Sequence, residues 1–370
     1  VTGIYIHIPY CKQKCRYCSF VSSFDTSSIP VFLIALEKEI DCRRGIDFSK
    51  NKPPIDTIYI GGGTPSILPK IALNRIFAKI QDNFTVQENS EITIEVNPES
   101  LTEEFLTACV NNGVNRLSIG LQSHDDKILR YIGRKHTQAD FERAIELIQT
   151  SGITNVSVDL ILGLPNQTKQ SLLESIEIAA KNPIVKHLSL YALTLEENTE
   201  LYKLEFAPDP DIQATMYEDA VEVLKAKRFV RYEVSNFALK GFGSKHNQKY
   251  WIGEEYLGFG AAAHSFLPKE NVRIENNPNI AQYNLGKFED KREAVPNADR
   301  IKEIIMLQLR TASGLNLKKL KNDTGWDLEV QKAVEINDLK VLKLLVQKKD
   351  ILYLSPHAYY LLDSILMKLL

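Results

Sequence analysis

The feature that most limits what this chain can fold into is a regular alternation of strand and helix patterns over its first two thirds. Apolar, β-branched runs occur at 3–8, 56–60, 91–96, 116–120, 155–162 and 187–193. Helix-period segments follow them at 30–45, 70–83, 102–112, 138–151, 169–181 and 211–227. Leu101-Thr102-Glu103-Glu104 places a capping residue before early acids, and Gly113 and Gly152 close two of the helices. Six strand–helix units in succession require parallel strands joined by right-handed crossovers, so an α/β barrel or a doubly wound sheet is expected. One more strand is predicted at 231–235.

The pattern changes beyond residue 240. Residues 241–260 are rich in glycine and aromatics and read as a long structured loop. Helical patterns then dominate at 300–309, 317–323, 328–348 and 357–369, with a short strand at 351–354 that stops at Ser355-Pro356. The expected organisation is a main body over 1–240, a connecting region over 241–298 and a small helical or winged-helix-like domain over 299–370. Lys and Arg total 45 against 47 Asp and Glu, which excludes a broadly basic nucleic-acid-binding surface. No stretch approaches the ~18 consecutive apolar residues of a membrane span, and no signal-peptide pattern opens the chain, so a cytoplasmic protein is expected.

The cysteines point to chemistry. Of five, Cys11, Cys15 and Cys18 lie within eight residues just after the first strand, spaced C-x3-C-x2-C. A secreted disulfide scaffold uses an even, dispersed set in a smaller chain. Structural zinc takes four ligands in two separated pairs, and Cys42 and Cys109 supply no second pair. Three thiolates from one loop can instead hold three irons of a 4Fe–4S cluster, leaving the fourth iron open to a small chelating ligand.

With Tyr17 just before the third cysteine, this loop resembles the signature of the radical S-adenosylmethionine superfamily. The words Tyr5-Ile6-His7-Ile8-Pro9-Tyr10-Cys11 resemble its oxygen-independent coproporphyrinogen oxidase branch, and the resemblance runs from Tyr5 to about Leu370. It implies a partial (β/α)6 barrel, a 4Fe–4S cluster on Cys11, Cys15 and Cys18, and S-adenosylmethionine bound to the open iron through its amino and carboxylate groups. Further motifs fall at predicted strand ends, where barrels of this kind build their sites. The second strand ends in Gly61-Gly62-Gly63-Thr64-Pro65, whose glycines let backbone approach a ligand; no Lys follows, which argues against a nucleotide triphosphatase. The third and fourth end in Glu95-Val96-Asn97-Pro98 and Gly120-Leu121-Gln122-Ser123, and the fifth carries Asp159, followed by Gly163-Leu164-Pro165. The resemblance implies that Gly62, Gly63 and Thr64 meet the cofactor's amino group, that Glu95, Gln122, Arg134 and Asp159 hold its polar groups, and that Tyr5 and Tyr17 pack beside it.

Within this branch two functions compete: oxidative decarboxylation of coproporphyrinogen III, and haem binding with delivery to client proteins. The resemblance implies a fourth cysteine two residues beyond the third in the dehydrogenases, where this chain has Phe20, which has no thiol to donate a proton or hydrogen atom. The chain also opens almost at its first strand, so the N-terminal arm of the dehydrogenases is expected to be lacking. Residues Ser244 to Trp251 resemble the H-N-x-x-Y-W motif of the haem-chaperone members, offering an imidazole, two aromatics for a porphyrin face, and Lys245 and Lys249 for propionates. His246 is therefore expected to contact haem, with His264 a weaker second candidate. His7 is expected to be a hydrogen-bonded core residue, and Cys42 and Cys109 buried small apolar side chains. The expectation is a haem carrier with a 4Fe–4S cluster, S-adenosylmethionine and haem as cargo, no assigned catalytic residue, and respiratory haem proteins as clients. The alternative is a radical enzyme acting on coproporphyrinogen III or a related tetrapyrrole. The resemblance leaves a homodimer open, and membrane-bound clients would imply peripheral membrane contact.

Overall fold

The computed structural model describes residues 1–47 and 52–370. The expected strands are β1 (Thr2–Ile8), β2 (Pro54–Gly62), β3 (Thr85–Val96), β4 (Arg116–Gln122), β5 (Val156–Leu162) and β6 (Val185–Ala192). They lie side by side in chain order, all parallel. Helices Ile29–Asp47, Lys70–Asn83, Glu103–Asn111, Gln138–Ser151, Lys169–Ala180 and Pro210–Ala226 alternate with them. Their ends follow local chemistry: Thr102 accepts from Phe105 N–H, Thr137 and Asp140 form a reciprocal capping box, and Gly152 ends its helix at φ +86. Each such cap is worth about 1 kcal/mol.

The strands alternate strictly between two faces. Ile4, Ile6 and Ile8 of β1, Ile58 and Ile60 of β2, Ile94 and Val96 of β3, Leu117, Ile119 and Leu121 of β4, and Val158, Leu160 and Leu162 of β5 are buried in one apolar core. The intervening positions are polar: Thr57 and Tyr59, Thr93 and Glu95, Ser118, Ser157 and Asp159, His187 and Ser189. Parallel register keeps like with like, placing Tyr5 beside Tyr59, Glu95 beside Ser118, and Asp159 beside Ser189. A sheet polar along its inner face is stable only if it curves around groups that satisfy it.

Among the described residues the sheet extends to twelve strands. At one side β8 (Asn236–Ala238) adds antiparallel to β6, followed by β7 (Val230–Arg231). At the other, β9 (Tyr256–Phe259) adds parallel to β1, followed by β10 (His264–Leu267), β11 (Val272–Asn276) and β12 (Glu289–Ala294), which pair antiparallel. Strands β1 and β6 are not neighbours, so the barrel is partial. Of the single strand expected at 231–235 only Arg231 lies in a strand, at the end of β7; residues 232–235 turn into β8, held by the Glu233 carboxylate, which accepts from Ser235 N–H and the Asn236 amide. Nor is 241–298 a connector: it supplies β9 to β12 and, where a loop was expected, helix Lys245–Ile252, capped by Ser244 and ended by Gly253 at φ +67.

A second apolar core, from Ile304 to Leu369, belongs to the C-terminal region. It joins helices Asn297–Gln308, Leu317–Thr324, Ala333–Val341 and Leu362–Leu369 to a small antiparallel sheet in which β15 (Ile351–Leu354) lies between β13 (Leu315–Asn316) and β14 (Leu345–Lys348). The one helix expected over 328–348 breaks first at Lys332, between Leu328–Gln331 and Ala333–Val341, and again after Val341, because Lys343 takes φ +58 and residues 345–348 turn back at Lys349 to pair with β15. Over so short an apolar run the helix and strand periods coincide.

Candidate functional site

At the C-terminal ends of the parallel strands lies a cavity of about 470 Å³. Tyr59, Glu95, Ser118, Asp159 and Tyr191, from five successive strands, all line it, which is the curvature that the polar inner face demands. The remaining wall is the loop carrying Cys11, Cys15 and Cys18.

That loop is held at both ends. Cys11 N–H donates to Ser23 O (3.0 Å) and Ser23 N–H to Pro9 O (2.8 Å), pinching its base, while Arg16 N–H donates to Ile132 O (3.0 Å) at its far side. The Gln13 amide also donates to Gly133 O. Cys18 N–H closes a turn onto Cys15 O at 3.1 Å. The glycine run after β2 presses against this loop: Gly63 N–H donates to Ile8 O (2.8 Å) and Thr64 N–H to Tyr10 O (2.7 Å). A Cβ on Gly63 would fall 2.5 Å from Tyr10 O, and Gly62 takes φ +106, so side chains at either position would force the segments apart.

A hydrogen-bonded chain links a cation to the thiols. Arg134 donates to Asn97 Oδ1 (2.8 Å) and Gly120 O (2.8 Å), and Asn97 Nδ2 donates to Thr64 Oγ1 (3.2 Å). Thr64 Oγ1 in turn donates to Cys11 Sγ (3.5 Å), and another Arg134 nitrogen lies 3.9 Å from Cys15 Sγ. Burial holds the Cys11 and Cys18 thiols above their ordinary value, an effect that the Thr64 hydroxyl opposes at Cys11. Deeper in the cavity, Glu95 accepts from the Tyr59 hydroxyl (2.7 Å) and Gly62 N–H (3.1 Å), and Asp159 from Ser118 (3.0 Å). Burial pushes the Glu95 carboxyl up to about 7, with neighbouring Asp159 adding to the effect, and raises Asp159 as well. Among the described residues neither carboxylate pairs with a lysine or arginine within 4 Å.

The donor set suits a cluster better than a single ion. Among the described residues no three His, Cys, Asp or Glu side chains converge on one point that would hold a metal ion. The three loop thiols line one cavity, whereas Cys42 is exposed and Cys109 is buried in the apolar core. Three spaced thiols without a fourth are what a 4Fe–4S cluster with one open iron requires.

Gly62, Gly63, Thr64, Gln122 and Tyr17 also line the cavity; Gln122 sits at a break in the β4–β5 register with φ +65. Tyr17 is anchored against the small apolar cluster of Ile128, Leu129, Ile132 and Leu201, which leaves its ring as a fixed wall. Other expectations fail. Tyr5 does not reach the cavity; it packs beside Tyr59 and bonds to His7 (3.1 Å). His246 is fully buried on the opposite side of that layer, with Nδ1 2.9 Å from Thr57 Oγ1 and Nε2 2.7 Å from Tyr250 OH. Both ring nitrogens are committed, so His246 is not presented to haem. Lys249, expected to meet a propionate, is buried in ion pairs with Asp56 (3.0 Å) and Glu254 (2.9 Å). His264 is exposed on β10, outside the cavity, and Cys42 is exposed rather than buried. Sequence reasoning missed Tyr59, Asn97, Ser118 and Tyr191; the period-two alternation that marks Glu95 and Asp159 as inward-facing also marks Tyr59, Ser118 and Tyr191.

A part-barrel of six parallel strands with a three-thiol loop over a polar cavity defines a protein of the radical S-adenosylmethionine class, and residues 5–179 match the Radical SAM superfamily. That superfamily implies a 4Fe–4S cluster and S-adenosylmethionine as cofactors. Residues 295–361 match the HemN C-terminal domain. The fold superposes on coproporphyrinogen III oxidase (HemN) from Escherichia coli with a TM-score of 0.85, covering 100% of this chain and 89% of that one at 21% identity. In sequence the chain is similar to "Heme chaperone HemW" of Lactococcus lactis subsp. lactis, 33% identical over 99% of this chain and 96% of that one. It is 34% identical to the protein of the same name in Bacillus subtilis, over 95% and 94%. A mouse relative, "Radical S-adenosyl methionine domain-containing protein 1, mitochondrial", is 32% identical over 100% and 87%. The chain belongs to the HemW family.

Proposed function

We propose that this protein binds haem and passes it to haem-requiring client proteins, using a cofactor site built on the cluster loop. Relatives similar over nearly the whole chain are named as heme chaperones. The observation that carries the reading to this chain is Phe20: it lines the cavity, 62% exposed, where the resemblance places a thiol in the dehydrogenases. An exposed phenyl ring there offers a surface for a flat apolar ligand and no proton or hydrogen atom to donate.

In this reading Cys11, Cys15 and Cys18 hold the cluster, and Arg134 faces the negative charge that three thiolates bring. The bound cluster would supply an open iron able to chelate S-adenosylmethionine. Glu95, a buried carboxylate without a cation, accepts from the polar N–H and O–H groups of that cofactor, Asp159 and Gln122 take others, and Tyr17 walls its flat part. Respiratory haem proteins as clients, approach to them at a membrane surface, a cytoplasmic location and pairing of two copies belong to the same proposal. Among the described residues no helix is long and apolar enough to cross a membrane.

The second reading, a radical enzyme acting on coproporphyrinogen III or a related tetrapyrrole, draws on the full set of polar groups retained in the cavity. Anaerobically reconstituted protein should bind haem stoichiometrically and leave coproporphyrinogen III unchanged when given a reductant and S-adenosylmethionine. Formation of protoporphyrinogen would overturn the carrier reading in favour of the enzyme.

A further inference from the structure

The H-N-x-x-Y-W segment does not touch the cavity, yet it supports the cavity wall through a stack of rings. His246 lies under Tyr59 with ring centroids 5.4 Å apart and planes 27° from parallel. Tyr59 reaches up from that stack and donates to Glu95 Oε1 at 2.7 Å. The imidazole is fixed in rotation as well as position, because Thr57 and Tyr250 hold its two nitrogens at 2.9 and 2.7 Å. The helix that presents it is fixed in turn. Glu91 of β3 accepts from Lys245 N–H (3.1 Å) and His246 N–H (3.0 Å) at the helix N-terminus, and Tyr250 meets His246 edge-on at 5.2 Å. A flat ring whose plane is set by two hydrogen bonds dictates the plane of the ring stacked on it.

We infer that His246 is a positioning residue for the S-adenosylmethionine site: through Tyr59 it sets the geometry in which Glu95 meets the cofactor's polar groups. This rests on the reading of the cavity given above. It gives the motif a task at the cofactor rather than at haem. The titratable groups facing Glu95 are Tyr59 from β2, Asp159 from β5, Tyr5 from β1, Tyr191 from β6 and Tyr250 from the helix. Of these, only the Tyr59 hydroxyl donates a hydrogen bond to the carboxylate, so loss or tilting of that donor disfavours the ionised form.

The test is titration of S-adenosylmethionine into anaerobically reconstituted protein at a series of pH values through neutrality. Wild type, Tyr59→Phe, His246→Phe and the double variant are compared, with iron content as a control. Tyr59→Phe should weaken binding about tenfold and move the pH midpoint of binding upward. His246→Phe, which keeps a ring but loses both hydrogen bonds, should move affinity and midpoint in the same direction. The double variant should bind no more weakly than Tyr59→Phe alone, because both changes act through one hydrogen bond. Thr57→Val, which removes only the partner of His246 Nδ1, carries the same comparison if His246→Phe does not fold. Wild-type binding with an unchanged midpoint in His246→Phe, or fully additive effects in the double variant, would overturn the inference alone. Failure of wild type to bind S-adenosylmethionine would remove the cavity reading and this inference with it.

Discussion

The two ends of the part-barrel are built from the same strands and similar side chains, yet only one is available to a ligand. At the closed end His187 bonds Ser157 (2.7 Å) and Tyr232 (2.8 Å), His246 bonds Thr57 and Tyr250, and Glu91 receives the first N–H groups of helix Lys245–Ile252. Every one of these groups is answered from within the chain. At the open end Glu95 and Asp159 have hydroxyl and amide donors but no ion-pair partner among the described residues, and three thiols face a cavity. Polar residues inside a barrel therefore do not mark a site by themselves. What marks it is a buried carboxylate without an ion-pair partner next to open volume.

The comparison can be broken from either end. The largest effect on stability belongs to the closed end. His187→Ala removes a fully buried ring and leaves Ser157 and Tyr232 unanswered, at a cost of about 2–4 kcal/mol in chemical unfolding. Iron content and S-adenosylmethionine affinity should stay at wild-type levels, because His187 does not stack under a cavity-lining ring as His246 does. A selective loss of cofactor binding would show that His187 is coupled to the site as well. At the open end the order reverses. Glu95→Gln should fold with a full complement of iron and lose S-adenosylmethionine affinity by about 1.5–3 kcal/mol, read by equilibrium dialysis.

The third comparison concerns pH. Burial raises the Glu95 carboxyl from 4.5 to about 7 in the folded chain, so the folded state holds that proton more tightly than the unfolded one. Its contribution to stability is fully present below pH 4.5 and is lost as pH rises through about 7. Cofactor binding should move the opposite way, strengthening as pH rises through about 7 and Glu95 ionises. Unfolding of the ligand-free protein across this range should show a shallower fall in Glu95→Gln; an identical slope would remove Glu95 as its source.

Much of the open end was legible because its residues sit at predictable places. Cys11, Cys15 and Cys18 are local in sequence, Glu95 and Gln122 fall at the ends of β3 and β4, and Asp159 lies on the polar face of β5, all in strands whose apolar alternation is unmistakable. Tyr59 and Tyr191 escaped because a tyrosine in a strand reads as one more apolar residue until its face is known. The closed end was misread for a different reason. The motif around His246 names side chains suited to haem, but the groups that consume them, Thr57 and Glu91, lie far away in sequence and are brought together only by the fold. The helix carrying His246 was nonetheless announced by Ser244 before it and Gly253 after it, signals hidden by the surrounding glycines and aromatics.

The central claim, that the open end holds a cluster with an iron left free for a small ligand, is tested most directly by electron paramagnetic resonance. Reduced, anaerobically reconstituted protein should give a 4Fe–4S signal that is absent in Cys15→Ser, and adding S-adenosylmethionine should shift the wild-type signal as the cofactor ligates the open iron. A signal that survives in Cys15→Ser, or one that S-adenosylmethionine leaves unchanged, would contradict it.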